Sequence, residues 1–171
     1  MFLPIRTDYR LRHTPWVNYG LLAANILIFL LGFNTTTAEN YRQTMPWMLH
    51  ADWPQVYQFF SSMFLHADWR HLGGNMLFLW VFGNALNDRF GHVGYLSFYL
   101  AGGLLAGLGY LALTPSGQLL GASGAISAVT GAFLVLLPKT RVTLIAFLFV
   151  IVPFEVSSLF FLAFQFVFNM W

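Results

Sequence analysis

Long apolar runs with very little charge are the feature that most constrains what this chain can fold into. Asp, Glu, Lys and Arg make up only 8% of the 171 residues, whereas a soluble domain usually carries about a quarter of such residues. Several runs approach the roughly 20 residues that a helix needs to cross the hydrocarbon core of a bilayer. The sequence therefore predicts an integral membrane protein of all-α class, a polytopic bundle of transmembrane helices forming a single domain over residues 1–171.

Five spanning helices can be placed on these runs. They are predicted at residues 14–33, 71–86, 94–113, 119–137 and 152–171. The fifth is the least obvious, because the final apolar run extends from Val142 to Trp171 and is too long for one straight span. Pro153 suits the first turn of a helix and Glu155 suits its positive dipole end, so the fifth helix is started there. Residues 142–151 are then left at the membrane interface; one long tilted helix from Val142 is the alternative.

The first loop and the basic residues indicate how the chain lies in the membrane. Residues 34–70 are predicted to form a loop at the membrane interface, because Trp47, Trp53 and Tyr57 stand there among prolines and acids. Six basic residues fall on the side of the N-terminus and two on the other side. They are Arg6, Arg10, Arg12, Arg89, Lys139 and Arg141, against Arg42 and Arg70. The positive-inside rule therefore predicts a cytoplasmic N-terminus and an outward-facing first loop.

Charge and cysteine content exclude several classes of function. The net charge of +2 is too small and too scattered to indicate a nucleic-acid partner. The chain has no cysteine, which excludes disulfides, thiolate catalysis and cysteine metal sites. Any chemistry must therefore come from the few polar side chains in or beside the spans.

One group of polar side chains lies near the outward end of the second predicted helix. It consists of His66, His71 and Asn75. His71 and Asn75 are four residues apart, so they share one face of a helix. Hydrogen bonding between helices is the simpler interpretation of such a pair; donation to a substrate is the functional one.

A second group lies at the outward end of the fourth predicted helix. Gly121 and Gly124 flank Ser123, and Ser127 and Gly131 follow Ser123 at four-residue spacing. Small residues at this spacing form a narrow strip where another backbone can approach closely. Packing is again the simpler interpretation of this strip.

The joint occurrence of the two groups favours catalysis. Ser123 falls in the first turns of its helix, near unpaired backbone N–H groups and the positive end of the helix dipole. Donors of that kind stabilise a developing oxyanion, and His71 and Asn75 can add side-chain donors from the neighbouring helix. The arrangement predicts acyl transfer with Ser123 as the nucleophile.

The residues that carry these groups resemble the rhomboid family of intramembrane serine proteases. The resemblance covers nearly the whole chain. Its segments are Pro15-Trp-Val17, Phe64-Leu-His66, Trp69-Arg-His-Leu-Gly-Gly-Asn-Met-Leu-Phe-Leu-Trp-Val-Phe-Gly83, Phe98-Tyr-Leu-Ala-Gly-Gly103 and Gly121-Ala-Ser-Gly124. The resemblance implies a six-helix core, of which about five spans are present here, and an enzyme that cleaves transmembrane segments of membrane proteins.

The resemblance also implies a role for each site residue. Ser123 matches the nucleophile, and His71 and Asn75 match the donors that join the Ser123 N–H in binding the oxyanion. His66 matches a polar residue with a supporting role. The implied mechanism is a Ser–His dyad that uses neither a metal nor another cofactor. The loop at 34–70 resembles the membrane-embedded loop of the family, and the fifth helix resembles its proposed lateral gate.

The general base is the point at which this sequence departs from the family pattern. The family places it on a histidine of the sixth helix, whereas all five histidines here precede Ser123 in the chain. Three explanations stay open. The chain is a part of a longer active serine endopeptidase, or it is a catalytically inactive rhomboid-like protein that binds or chaperones membrane clients, or His71 or His66 serves as a substitute base.

Partners and location follow from the same interpretation. The expected partners are transmembrane protein substrates and the lipid bilayer, with no nucleic acid. With one helix of the core absent, the strip at Ser123, Ser127 and Gly131 is left for association with another helix. We expect a multi-pass protein of a bacterial inner membrane, with its N-terminus in the cytoplasm and the active-site face outward.

Overall fold

The computed structural model describes residues 2–147, 151–157 and 159–160. Its α-helices are α1 Trp16–Leu30, α2 Ala38–Thr44, α3 Gln58–Ser61, α4 Trp69–Phe78, α5 Asn84–Leu113 and α6 Ser123–Leu136. Its strands are β1 Phe2–Thr7, β2 Leu49–His50, β3 Gln118–Leu119, β4 Arg141–Phe147 and β5 Ile151–Ser157. Short 3₁₀ turns lie at Met45–Trp47 and Ser62–Phe64, and a π-helical segment, Leu79–Gly83, joins α4 to α5. The protein is mostly helical, although the strands make the all-α prediction too simple.

Helix α1 buries both of its asparagines and exposes several apolar side chains. Asn18 and Asn25 are fully buried, whereas Leu27 and Leu30 are more than half exposed. An exposed face that is apolar matches a helix whose outer face meets lipid. The helix is shorter than the predicted span 14–33, because the chain turns after Leu30 through Gly32, whose φ is +91°.

The second and third predicted helices, 71–86 and 94–113, lie in a helical stretch from Trp69 to Leu113 that is interrupted at Gly91. It begins at Asp68, whose carboxylate accepts hydrogen bonds from the N–H groups of Arg70 and His71. In place of the predicted gap between the two helices, the structure has a non-helical residue, Gly91, whose φ is +71°. Among the described residues, this is the one helical stretch long and apolar enough to cross a membrane by length and composition; α1 and α6 are shorter apolar helices.

The loop predicted at residues 34–70 has a folded interior. It contains α2, α3 and β2, and the buried Gln58 ties it together. The Gln58 side chain accepts a hydrogen bond from the Gln55 N–H at 2.9 Å and donates one to the Pro46 carbonyl at 3.2 Å. Trp47 and Trp53 are each almost half exposed, so the aromatic residues that suggested a membrane interface lie on the outside of this folded loop.

Helix α6 begins at Ser123, four residues later than the predicted boundary at 119. The residues before it form strand β3 and not a helix. Strand β3 pairs in antiparallel fashion with β2 of the first loop, and Leu119 lies opposite Leu49. Gly121 then takes a φ of +122°, which an α-helix does not contain. The loop and the start of α6 are therefore held together.

The fifth predicted helix, 152–171, is wrong over residues 152–157, whereas residues 159 and 160 are helical. Strand β5 covers residues 151–157 and pairs with β4, which pairs with β1 in a three-stranded antiparallel sheet. Residues 158 and 161–171 of the predicted helix lie outside the described residues. An apolar run does not by itself separate a buried strand from a helix, and this one is rich in β-branched and aromatic residues, which favour strands. The segment 142–151, predicted at the interface, likewise contains β4.

The N-terminal segment binds the carboxylate of Asp88, whose side chain is only 1% exposed. This carboxylate accepts hydrogen bonds from the Tyr9 hydroxyl at 2.9 Å and from the N–H groups of Arg12 and His13 at 3.2 and 2.8 Å. The His13 Nδ1 atom lies 3.1 Å from it as well. Asp88 thus joins residues 9–13 to the first turns of α5, just before the break at Gly91.

Replacing Asp88 by alanine is expected to lower the free energy of unfolding by about 1–3 kcal/mol, because the Tyr9 hydroxyl and the N–H groups of Arg12 and His13 lose a charged acceptor at once. Asp88→Asn keeps an acceptor oxygen and the shape of the side chain, so it should lower the free energy of unfolding by less. Asp52→Ala, at an exposed carboxylate, serves as the control and should change the stability by less than about 0.5 kcal/mol. Thermal unfolding in detergent micelles measures all three; equal midpoints for Asp88→Ala and Asp52→Ala would contradict the anchoring role.

Candidate active site

Gly121 lies close to the side chains of both His71 and Ser123. A Cβ atom built on Gly121 would be 2.7 Å from the Cε1 and Nε2 atoms of His71 and 3.8 Å from the Oγ atom of Ser123. The Gly121 N–H donates a hydrogen bond to the Ser62 carbonyl at 2.8 Å, which fixes this glycine against the first loop. The structure therefore brings the predicted nucleophile and one predicted oxyanion donor close to a single backbone position.

Ser123 is the first residue of α6 and its side chain is exposed. The first N–H groups of a helix have no partner within the helix, and the helix dipole is positive at this end. Both effects favour an anion beside Ser123. The position therefore combines an accessible hydroxyl with backbone donors.

His71 presents its Nε2 atom to Gly121 while its Nδ1 atom faces its own chain. The Ala67 N–H donates to Nδ1 at 3.4 Å, a long hydrogen bond in which Nδ1 is the acceptor. A neutral imidazole that accepts at Nδ1 carries its proton on Nε2. His71 is thereby oriented as an N–H donor toward the side of Ser123.

Asn75 lies one turn further along α4 and is buried. Its Nδ2 atom donates to the His71 carbonyl at 3.1 Å. Asn75 is thus hydrogen-bonded within its own helix, and its amide is aimed along α4.

His66 is fully buried directly behind His71. The two rings meet edge to face with centroids 5.1 Å apart. Neither ring nitrogen of His66 has a hydrogen-bond partner of good geometry among the residues that the structure describes. Burial, with a smaller contribution from the nearby His71, lowers the pKa of His66 from 6.5 to about 4, and a hydrogen bond to the Phe64 backbone opposes the change. His66 is therefore a neutral packing partner of His71.

The small-residue strip of α6 divides between two faces. Gly124 packs against Ala106 of α5, where a Cβ atom would collide with the alanine methyl group. Ser127 and Gly131 are exposed, and a Cβ on Gly131 would meet nothing within 4 Å. Gly124 therefore serves contact between α5 and α6, whereas Ser127 and Gly131 share the open face of Ser123.

Comparison with known proteins identifies the family. A family model described as Rhomboid domain matches residues 53–171, well over half of the chain. The chain belongs to the rhomboid family. Membership of this family supports the prediction of a membrane protein.

Several curated rhomboid proteins are similar to it. Rhomboid protein 1, mitochondrial, of Saccharomyces cerevisiae is 30% identical over 156 residues, covering 82% of this chain and 45% of the relative. Rhomboid-like protein 11, chloroplastic, of Arabidopsis thaliana is 38% identical over 79 residues, covering 46% and 28%. The human presenilin-associated rhomboid-like protein, mitochondrial, is 29% identical over 154 residues, covering 81% and 40%. The chain thus spans less than half of the length of these relatives.

Two residues of this rhomboid site were missed in the sequence. Asp68 caps α4 and thereby orients the turn that carries His71; a helix-capping residue just before Trp69 is a signal that could have revealed it. Ser62 contributes only its carbonyl, which binds the Gly121 N–H. A backbone acceptor has no signature in the sequence, so Ser62 could not have been found there.

The buried His66 makes the stability of this rhomboid depend on pH. Its pKa in the folded state, about 4, lies below the unfolded value of 6.5, so the unfolded state binds more protons between these values. The stabilisation is complete above pH 6.5 and is lost as the pH falls toward 4. We expect a loss of up to about 3 kcal/mol over this range.

Unfolding midpoints in detergent across this pH range measure the effect. His66→Gln should show a flatter dependence than the wild type, because the group that takes up the proton is gone. His92→Gln, at an exposed histidine, should keep the wild-type dependence. An unchanged slope in His66→Gln would show that other groups cause the acid sensitivity.

Proposed function

We propose that this rhomboid is an intramembrane serine endopeptidase that cleaves transmembrane segments of other membrane proteins, with Ser123 as its nucleophile. The observation that carries the proposal is the pair of contacts at Gly121: Ser123 Oγ and His71 Nε2 both lie within 4 Å of the Cβ position of that glycine. A nucleophile beside an N–H donor at a helix N-terminus has the geometry that acyl transfer uses.

The proposed reaction assigns a task to each group. The Ser123 oxygen attacks the scissile carbonyl carbon, and the Ser123 N–H and the His71 Nε2–H bind the oxygen that becomes negative. Asn75 joins them by exchanging its bond to the His71 carbonyl for one to the substrate. The C–N bond then breaks, the proton from Ser123 passes through the general base to the leaving amine, and water hydrolyses the acyl-enzyme. No step uses a metal or a cofactor.

The proposal assigns the general base to neither His71 nor His66. The protonation of His71 supports that choice over a substitute base: a ring that carries its proton on Nε2 cannot accept one there from Ser123. His66 supports His71 by packing against its ring.

The proposed setting is a multi-pass protein of a bacterial inner membrane, in contact with lipid along its helices. The six-to-two distribution of basic residues supports a cytoplasmic N-terminus and an outward-facing site. Apolar side chains exposed on α1, such as Leu27 and Leu30, support a lipid-facing surface. A substrate helix would then reach Ser123 from within the bilayer.

The test is cleavage in vesicles. The full-length protein, with any residues that its reading frame encodes after Trp171, is reconstituted with a transmembrane segment placed between two soluble reporter domains. We expect two fragments, cut near the outward end of the segment. A segment that co-purifies intact, with no fragments, would overturn the proposal and indicate a client-binding protein.

A further inference from the structure

The helix that carries His71 and Asn75 is not a regular α-helix at its centre. The π-helical segment Leu79–Gly83 directly follows α4. Its backbone pairing of i to i+5 places an additional residue in the turn. Since an α-helix has 3.6 residues per turn, one additional residue rotates the preceding part of the helix by about 100° relative to the following part. The π segment therefore sets the direction in which His71 and Asn75 point.

Asn18 of α1 holds this segment. Its side chain is fully buried, and its Nδ2 atom donates to the Leu79 carbonyl at 2.9 Å and to Asn84 Oδ1 at 2.8 Å. Its own N–H donates to Asn87 Oδ1 at 3.1 Å. The Asn18 side chain thus binds the first residue of the π segment and Asn84, the residue after its end, while the Asn18 backbone binds Asn87.

The fit around Asn18 is close on every side. The Tyr95 hydroxyl donates to Asn18 Oδ1 at 2.6 Å, which leaves Nδ2 directed at Leu79. Gly83, the last residue of the π segment, has no room for a side chain, because a Cβ atom would collide with the Asn18 carboxamide and the Tyr95 hydroxyl. This arrangement fixes both the position and the orientation of the carboxamide.

A continuous series of hydrogen bonds leads from Asn18 to the site. Asn18 Nδ2 donates to the Leu79 carbonyl, and the Leu79 N–H donates to the Asn75 carbonyl. Asn75 Nδ2 in turn donates to the His71 carbonyl. The three bonds span the two turns of helix between the π segment and the imidazole.

We propose that Asn18 is a positioning residue: by binding the π segment it fixes the rotation of α4 and so holds the His71 imidazole beside Gly121 and Ser123. Asn18 itself touches no reacting atom. The inference rests on the proposed function only for the oxyanion role of His71. The position of the His71 imidazole is measured separately, without reference to cleavage.

The positioning claim is tested by NMR of the full-length protein labelled with ¹³C-histidine, with His71 assigned through His71→Gln. Asn18→Leu removes the hydrogen bonds at similar volume. It should shift the His71 Cε1 resonance and leave that of His50 in place, since His50 stacks on Trp53 in the first loop. A His71 resonance that does not move, or equal shifts of all histidines, would overturn the proposal.

A second pair of variants tests the proposal where Asn18→Leu folds poorly. Tyr95→Phe removes only the hydroxyl that orients the Asn18 carboxamide, and it should shift the His71 resonance in the same direction by a smaller amount. Tyr99→Phe removes another fully buried hydroxyl from α5, outside this network, and should leave the His71 resonance in place. Equal shifts in both variants would contradict a specific role of Asn18.

Kinetics give the functional readout. In the cleavage assay Asn18→Leu should lower kcat about tenfold with KM unchanged, because His71 stabilises the transition state and not the bound substrate. A raised KM at constant kcat would count against positioning. Absence of cleavage by the wild type would refute the proposed function, while the NMR comparison would still decide the role of Asn18.

Discussion

Replacing Ser123 by alanine is expected to abolish cleavage, lowering the rate by at least roughly 10⁴-fold. The hydroxyl is the only group at the start of α6 that can form the acyl-enzyme, since the residues on either side are Ala122 and Gly124. Substrate binding should persist, because the exposed hydroxyl adds little to the contact area. Stability should change by less than about 0.5 kcal/mol, as for other exposed side chains.

Ser127 provides the matched control. It lies one helical turn from Ser123 on the same exposed face of α6, so Ser127→Ala removes the same atom from a similar surface. The two variants are compared by labelling of the full-length protein with a fluorophosphonate probe, which reacts with activated serines. Labelling should disappear in Ser123→Ala and persist in Ser127→Ala. Persistent labelling of Ser123→Ala would refute the assigned nucleophile, and loss in Ser127→Ala would move the nucleophile to that residue.

Much of the candidate site could be predicted from residue type and spacing alone. His71 and Asn75 share a helix face because they are four residues apart, and Ser123 stands where an apolar run begins after glycine. These properties come from the local sequence and do not depend on tertiary contacts. The proximity of His71 to Ser123 is inferred from their common level in the membrane, and the structure places both side chains near Gly121.

Features set by distant contacts could not be predicted in this way. The start of α6 is displaced because Leu119 pairs with Leu49, 70 residues earlier in the chain. The π segment is bound by Asn18, more than 60 residues from Leu79. The strands at 141–157 pair segments whose apolar runs do not by themselves separate a strand from a helix. In each case tertiary contact decided between local conformations of similar propensity.

The same distant contacts explain why the polar residues Asn18 and Asp88 were not recognised as important. Asn18 lies within an apolar run and Asp88 within a helix-ending cluster, where a polar residue suggests no particular partner. Their roles come from what they bind: the Leu79 carbonyl in one case and the backbone of the N-terminal segment in the other. Sequence patterns identify the residues of the site more readily than those that position it.

Gly121→Ala is expected to reduce cleavage by roughly 10²–10³-fold, the effect of losing one oxyanion donor. The added methyl group would lie 2.7 Å from the His71 ring, so the imidazole must move away from Ser123. The φ of +122° adds backbone strain of about 1–3 kcal/mol, which lowers the free energy of unfolding by a similar amount. Gly131→Ala is the control, because that glycine lies within α6 with open space around it and alanine there should be neutral or slightly stabilising.

A double-mutant cycle separates the displacement of His71 from the backbone strain. If Gly121→Ala acts by moving the imidazole, then His71→Ala alone should lose about as much activity, and the combined variant should lose little more than either single one. If backbone strain at Gly121 distorts Ser123 directly, the two losses should multiply instead. Cleavage rates and unfolding midpoints of the four proteins decide between these outcomes. Full activity in Gly121→Ala would mean that His71 does not occupy this position during catalysis.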